Sequence, residues 1–374
     1  MHGQAQPSAG EGVTHAHKSV IVPVQWLRGV AACLVVVVHL IDRLIKRGAF
    51  PEALPDWIWS FGQIGVGTFF AISGFIMVYT TADEFARPGA GQRFVLRRFL
   101  RVAPIYYLTS LLMIGFSYAT FRFSTNATAP ETTLPALAMS FLFIPYVDHH
   151  GLTQPVYGLG WTLDYEMFFY LLFALAITMR RGRGLTCAIL ALIALVLAGT
   201  QIPAPAPITG QPVPLYYFTR PVLLYFIVGM AIGAVRFAFG TLRLPVADGV
   251  LCALALAPLS LAIRFGAADV TAIGVVFVTL ALALTALLEG RGNTHKGFAM
   301  LARAFGDASY SMYLTHSFLL GAIAVVLTRV AGGREALLCL LVALSCLICA
   351  GAAWLVWRWV ERPLTRFLNR ICRA

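Results

Sequence analysis

The chain has 374 residues, 59% of them hydrophobic and 12% charged, with a mean hydropathy of +0.79. A soluble domain carries about 25% charged residues, so a water-soluble globular enzyme is excluded and a polytopic membrane protein is expected. The net charge of +12 does not point to nucleic acid, because the basic residues sit in short connections between apolar runs, as cytoplasmic loops do.

Residues 1–18 are polar and rich in Gly, Ala and His, and are expected to form a disordered cytoplasmic tail. A single transmembrane domain is expected over 19–366, followed by a basic cytoplasmic tail over 367–374. Apolar runs near the length that crosses a bilayer, roughly 20 residues, are Val20–Leu40, Gly62–Thr81, Val102–Ala119, Trp161–Met179, Leu185–Gly199, Pro221–Phe239, Val246–Ile263, Val270–Leu288, Ser309–Thr328 and Ala336–Trp357. The predicted architecture is an all-α integral membrane bundle of about ten transmembrane helices. A further apolar run, 134–146, contains Pro135 and Pro145 and is too short to span. The arginines at 87, 93, 97, 98 and 101 and those at 180, 181 and 183 must face the same side, which leaves room for two crossings between them. The 134–146 segment is therefore expected to be re-entrant or interfacial, with both termini cytoplasmic.

In chain order, the first candidates for chemistry are Arg28 and His39 in the first span. An ionisable side chain within hydrocarbon costs a few kcal/mol and marks a functional site. Eleven residues separate the two, which places them on one helix stripe about 16 Å apart along the axis. A neutral imidazole at His39 can act as a general base near pH 7. In the second span, Gly65, Gly67, Ser73 and Gly74 suit close helix packing, and Ser73 offers a hydroxyl to a substrate carbonyl. Arg97, Arg98 and Arg101 open the third span as a guanidinium cluster suited to bidentate phosphate binding. Glu166 lies a turn and a half inside the Trp161 span, at the depth of His39, and a buried carboxylate there calls for a partner that His39 or Arg28 could supply; nearby Asp164 reads as a helix-start cap. Tyr313 and His316 form a polar face in SYSMYLTHSFLL, with His316 a second-choice catalytic group. No pair of the seven cysteines has zinc-ligand spacing with a histidine nearby, so no metal is expected; Cys346 and Cys349 read C-x-x-C, but inside an apolar helix, where they read as small packing residues.

The phrases VQWLRGVAACLVVVVH, GVGTFFAISGFIM, RRFLRVAP, LGWTLDYEMFFYLLFA, FGDASYSMYLTH and VERPLTR run in order from residue 24 to 366. Together they resemble the membrane-bound acyltransferase family 3, in its exopolysaccharide-production branch. The resemblance implies transfer of an acyl group, usually acetyl, from cytoplasmic acyl-CoA to a sugar hydroxyl on an exopolysaccharide or its lipid-linked precursor. It carries the family's functional residues onto Arg28, His39, Arg98, Arg101 and Glu166 of this chain.

The expected mechanism has His39, oriented by Glu166, as the catalytic pair, with His39 acting either as general base or as the nucleophile of an acyl-histidine intermediate. Arg28, Arg97, Arg98, Arg101, Ser73, Tyr313 and His316 make up the substrate-binding set. Acyl-CoA is the donor, with no tightly bound cofactor. The other expected partners are the saccharide acceptor, membrane lipid and polysaccharide-assembly proteins, with no nucleic acid. The expected location is the bacterial inner membrane. The competing class is a proton-coupled exporter of a sugar or small acid, which midplane His, Glu and Arg would also suit.

Overall fold

A computed structural model describes residues 20–49, 56–123, 132–265, 270–290, 296–331 and 335–372. The expected tail at 1–18 lies outside these residues. The chain forms α1 (Val22–Ile45), α2 (Ser60–Thr81), α3 (Ala90–Phe123), α4 (Leu134–Phe141), α5 (Trp161–Ala176), α6 (Arg181–Gly199), α7 (Pro214–Tyr217), α8 (Leu224–Phe239), α9 (Asp248–Phe265), α10 (Val270–Ala286), α11 (Lys296–Ala331), α12 (Glu335–Val356) and α13 (Arg362–Ile371). Two three-residue strands, β1 (Leu242–Leu244) and β2 (Leu288–Gly290), pair in parallel between connections.

Among the described residues, eight helices are long and apolar enough to cross a membrane. The other two expected spans are present as the shorter helices α5 and α10. The protein is thus a polytopic all-α membrane protein. Its outer surface carries large apolar side chains such as Leu111, Phe116, Leu171, Leu197 and Leu347, which suit contact with lipid.

Helix α1 begins with Pro23 in its first turn, where a missing N–H costs nothing. Helix α3 starts a full arginine-bearing segment before Val102, so the basic run is helical, and it absorbs Pro104. Helix α4, capped by Thr133 through the Ala136 N–H, has 8 residues and is too short to cross. Helix α12 widens into a π turn at Trp357–Glu361 before α13. The expected basic tail is in fact helical as far as Ile371. Arg362, Arg366 and Arg370 recur every four residues along one side of α13, which makes it an amphipathic helix that runs into the expected basic tail.

Lipid tails are as apolar as leucine, so helices in a membrane associate through close packing rather than water exclusion. The glycines of α2 serve that purpose. A Cβ at Gly74 would lie 2.3 Å from the Phe226 carbonyl oxygen, and one at Gly229 would lie 1.9 Å from that of Ala71. Helices α2 and α8 therefore cross backbone to backbone. Gly65 does the same against Ala31 of α1. Helix α2 is thereby held between α1 and α8, and α1 also packs along α11. These four helices, with α3 and α5, surround the candidate site.

Candidate active site

Two cavities lie at opposite ends of the α1–α2 pair. The first, of about 320 Å³, is lined from the arginine-rich end by Gln25 and Arg28 of α1, Arg98 and Arg101 of α3, and Asp307 of α11. Ser73, Glu166, Tyr170, Tyr310 and Tyr313 line it further in. Arg28 Nη1 donates to Gln25 Oε1 at 3.0 Å, and Gln25 Nε2 donates to Asp307 Oδ1 at 3.3 Å. Arg98 stacks over Phe94 and Tyr170, 5.6 and 5.9 Å from the ring centroids, and donates to Thr80 Oγ1 at 3.3 Å. Among the described residues, Arg28, Arg98 and Arg101 make no ion pair within 4.0 Å, so their charge is directed at the cavity. Such a mouth suits a donor that carries several phosphates.

Glu166 belongs to this cavity. It accepts hydrogen bonds from Ser73 Oγ at 3.2 Å and from the Tyr170 hydroxyl. The α3–α11 seam is tied beside it by Tyr310, whose hydroxyl donates to the Val102 carbonyl at 2.7 Å. The π turn after α12 brings buried Glu361 to Ser311 of α11, whose hydroxyl donates to it at 2.5 Å.

The second cavity, of about 390 Å³, opens from the opposite end. His39 of α1 lines it with Trp59, Gln63, Trp161, Tyr165, Arg220 and Tyr225. His39 Nδ1 lies 2.9 Å from Nε2 of His316, and the two rings are nearly parallel. His316 Nδ1 lies 3.0 Å from the Met312 carbonyl oxygen. A carbonyl can only accept, so the His316 Nδ1 carries the hydrogen. In a neutral ring that leaves its Nε2 as an acceptor. His39 must then donate from Nδ1, which leaves the lone pair of a neutral His39 on Nε2. One carbonyl thus fixes the tautomer of two rings.

The cavities share a wall: Val66 and Tyr313 line both. The Tyr313 hydroxyl is fixed by donating to the Leu159 carbonyl and accepting from Thr162 Oγ1, both at 2.9 Å.

Most of the residues singled out in the sequence are brought together, but not in the expected pairs. His39 and Glu166 do not meet: His39 is held by His316 in one cavity, and Glu166 by Ser73 and Tyr170 in the other. Equal depth in two helices does not set which way each helix faces. Arg97 is also displaced from its expected role, because its exposed head pairs with Glu84 at 2.5 Å and lies outside the cavity lining. Asp164 makes no cap bond. It is buried at the start of α5, with Oδ1 unpartnered. Gln25, Asp307, Arg220 and Glu361 escape the sequence reading. Asp307 and Glu361 are acids inside or beside apolar runs, and that alone is a signal. Arg220 precedes Pro221 at a span boundary and reads there as ordinary loop charge.

Fold and cavities define a polytopic membrane protein with a basic cavity and a histidine-bearing cavity back to back. The acyltransferase-domain family matches this chain over residues 23–358, and the chain belongs to that family. It is similar to the exopolysaccharide production protein ExoZ of Rhizobium meliloti (strain 1021), 31% identical over 311 residues, which cover 82% of this chain and 91% of that protein. No solved structure matches. The membership decides between acyltransferase and exporter in favour of the acyltransferase.

Proposed function

We propose that this protein is an acyl-CoA-dependent O-acyltransferase that moves an acyl group, acetyl by preference, to a sugar hydroxyl of an exopolysaccharide or its lipid-linked precursor. The similarity to an exopolysaccharide production protein supports the acceptor class. The observation that carries the reading is the shared wall, with a phosphate-suited cavity on one side and a tautomerically fixed histidine on the other. The positive-inside pattern supports a bacterial inner membrane location with both termini cytoplasmic, which turns the arginine-rich mouth toward cytoplasmic CoA. Membrane lipid and polysaccharide-assembly proteins are its proposed neighbours.

In this mechanism the CoA phosphates rest on Arg28, Arg98 and Arg101. The thioester reaches inward past Ser73 and Glu166 to the wall at Val66 and Tyr313. The acceptor enters the opposite cavity. His39 Nε2 takes the proton of the sugar hydroxyl as its oxygen bonds to the acyl carbon. The tetrahedral intermediate then expels CoA thiolate, which recovers the proton from imidazolium. Glu166 orients the donor cavity and does not act as the partner of His39. The apolar wall keeps bulk water from the thioester. The test is direct. Purified protein with acetyl-CoA should release free CoA only when a saccharide acceptor is present, and the saccharide should gain the acetyl group. CoA release at the same rate without acceptor, or no acetyl on the saccharide, overturns the proposal.

A further inference from the structure

We infer that the histidine-bearing cavity selects an acceptor carrying a negative charge, and that Arg220 is the residue that reads it. This rests on the acyl-transfer reading and adds the chemical class of the acceptor to it.

Arg220 stands between α7 and α8 and lines the same cavity as His39. Its guanidinium is locked in place. Nε donates to the Tyr216 carbonyl at 2.9 Å, and Nη2 to the Gly199 carbonyl at 2.7 Å and to Thr219 Oγ1 at 3.2 Å. The plane stacks on Tyr216, 4.0 Å from its ring centroid. These contacts account for two of its three nitrogens. Among the described residues, Nη1 makes no hydrogen bond, and no carboxylate lies within 4.0 Å of the group.

A guanidinium stays charged at any working pH, and a partly buried one calls for an anion. Carbonyl dipoles orient this one without neutralising it. A purely structural role, tying Gly199 at the end of α6 to α7, explains the bonds of Nε and Nη2 but not why a residue with an unbonded Nη1 lines the cavity. Trp161 and Tyr165 add flat apolar faces suited to a sugar ring, and Gln63 adds a carboxamide. A saccharide with an anionic group fits this set better than a neutral one. The anion is a sugar carboxylate or the phosphate of a lipid-linked saccharide, which share the oxyanion chemistry that a guanidinium recognises.

The experiment uses purified full-length protein with acetyl-CoA and three synthetic acceptors: hexyl glucoside, hexyl glucuronide and glucosyl hexyl phosphate. Acceptor-dependent CoA release gives KM for each. The expected result is a KM about tenfold to a hundredfold lower for one anionic acceptor than for the neutral one, the size of a lost charge-assisted hydrogen bond. Which anion wins names the source. In Arg220→Gln the anionic-to-neutral ratio should collapse toward one, and Arg220→Lys should restore part of it. Equal use of all three by the unaltered protein overturns the inference, as does a preference that survives Arg220→Gln. Should Arg220→Gln not fold, the unaltered protein still decides: the preference must weaken as salt rises, and a salt-independent preference overturns it. No acceptor-dependent release with any of the three defeats the acyl-transfer reading and this inference with it, a result distinct from equal use.

Discussion

The chain of hydrogen bonds from the Met312 carbonyl through His316 to His39 assigns separate work to the two imidazoles. His39 lines the second cavity and, when neutral, carries its lone pair on Nε2; His316, wholly buried in α11, presents the hydrogen-bond acceptor that holds it in that form. His39→Ala should therefore lower acceptor-dependent transfer by about a hundredfold or more, the scale of a lost general base. CoA binding in the other cavity should persist, as titration calorimetry would show. His316→Phe removes the acceptor without touching the base, so kcat should fall by about tenfold with little change in the acetyl-CoA KM. His316→Gln, whose carboxamide oxygen can still accept from Nδ1, should recover part of it. If Phe and Gln behave alike, His316 only fills space. At this scale the sequence was informative about identity and silent about pairing. Charged and imidazole groups inside apolar runs are costly enough to stand out, which made Arg28, His39, Glu166 and His316 visible. Their partners depend on how each helix is rotated in the bundle, and a single helix carries no record of that. The His39–Glu166 pair, reasonable by depth, failed for this reason.

Helices are fixed by a different economy, that of backbone contact. The α2–α8 crossing has no room for side chains at Gly74 and Gly229, each of which faces backbone atoms that cannot rotate away. Gly229→Leu should force the helices apart and destabilise the protein by about 1–3 kcal/mol or more, the range for overpacking. Thermal unfolding of the purified protein in detergent would measure it. Because α8 follows Arg220 and supplies Tyr225 to the acceptor cavity, transfer should fall together with the melting temperature. An unchanged melting temperature would mean that the crossing is not tight. The packing role of the α2 glycines was readable from their small size in an apolar run. Element ends were less readable. Hydropathy stops at the first arginine, but backbone hydrogen bonds do not, so α3 begins at Ala90 and α11 at Lys296, well before the apolar stretches inside them. The same holds for α13, which runs from Arg362 past the expected domain end at 366 to Ile371.

At the scale of the molecule, the bundle solves a problem of separation. In the proposed reaction a charged water-soluble donor and a saccharide acceptor would approach through the two cavities at opposite ends of the α1–α2 pair, and the reacting bond would have to be reached from both without opening a path for water. The polytopic all-α architecture was legible, since it follows from the distribution of apolar runs along the chain. The cavities were not, because a cavity is what neighbouring helices leave unfilled. Among the described residues, their only common lining is Val66 of α2 and Tyr313 of α11, and Tyr313 is anchored to Leu159 and Thr162. Val66→Trp would place an indole into both cavities at the point where the acyl group must pass. CoA binding at the arginine cluster, which lies nearer the opposite end of α2, should change by no more than about threefold, while transfer should drop by about tenfold or more. Val66→Ala thins the wall and should raise CoA release without acceptor, as water gains access to the thioester. Transfer that continues undiminished through Val66→Trp, in protein with an unchanged melting temperature and CoA affinity, would place the acyl route elsewhere. It would then have to skirt Tyr313 along α11, where buried Leu314 and Met312 leave no comparable opening among the described residues.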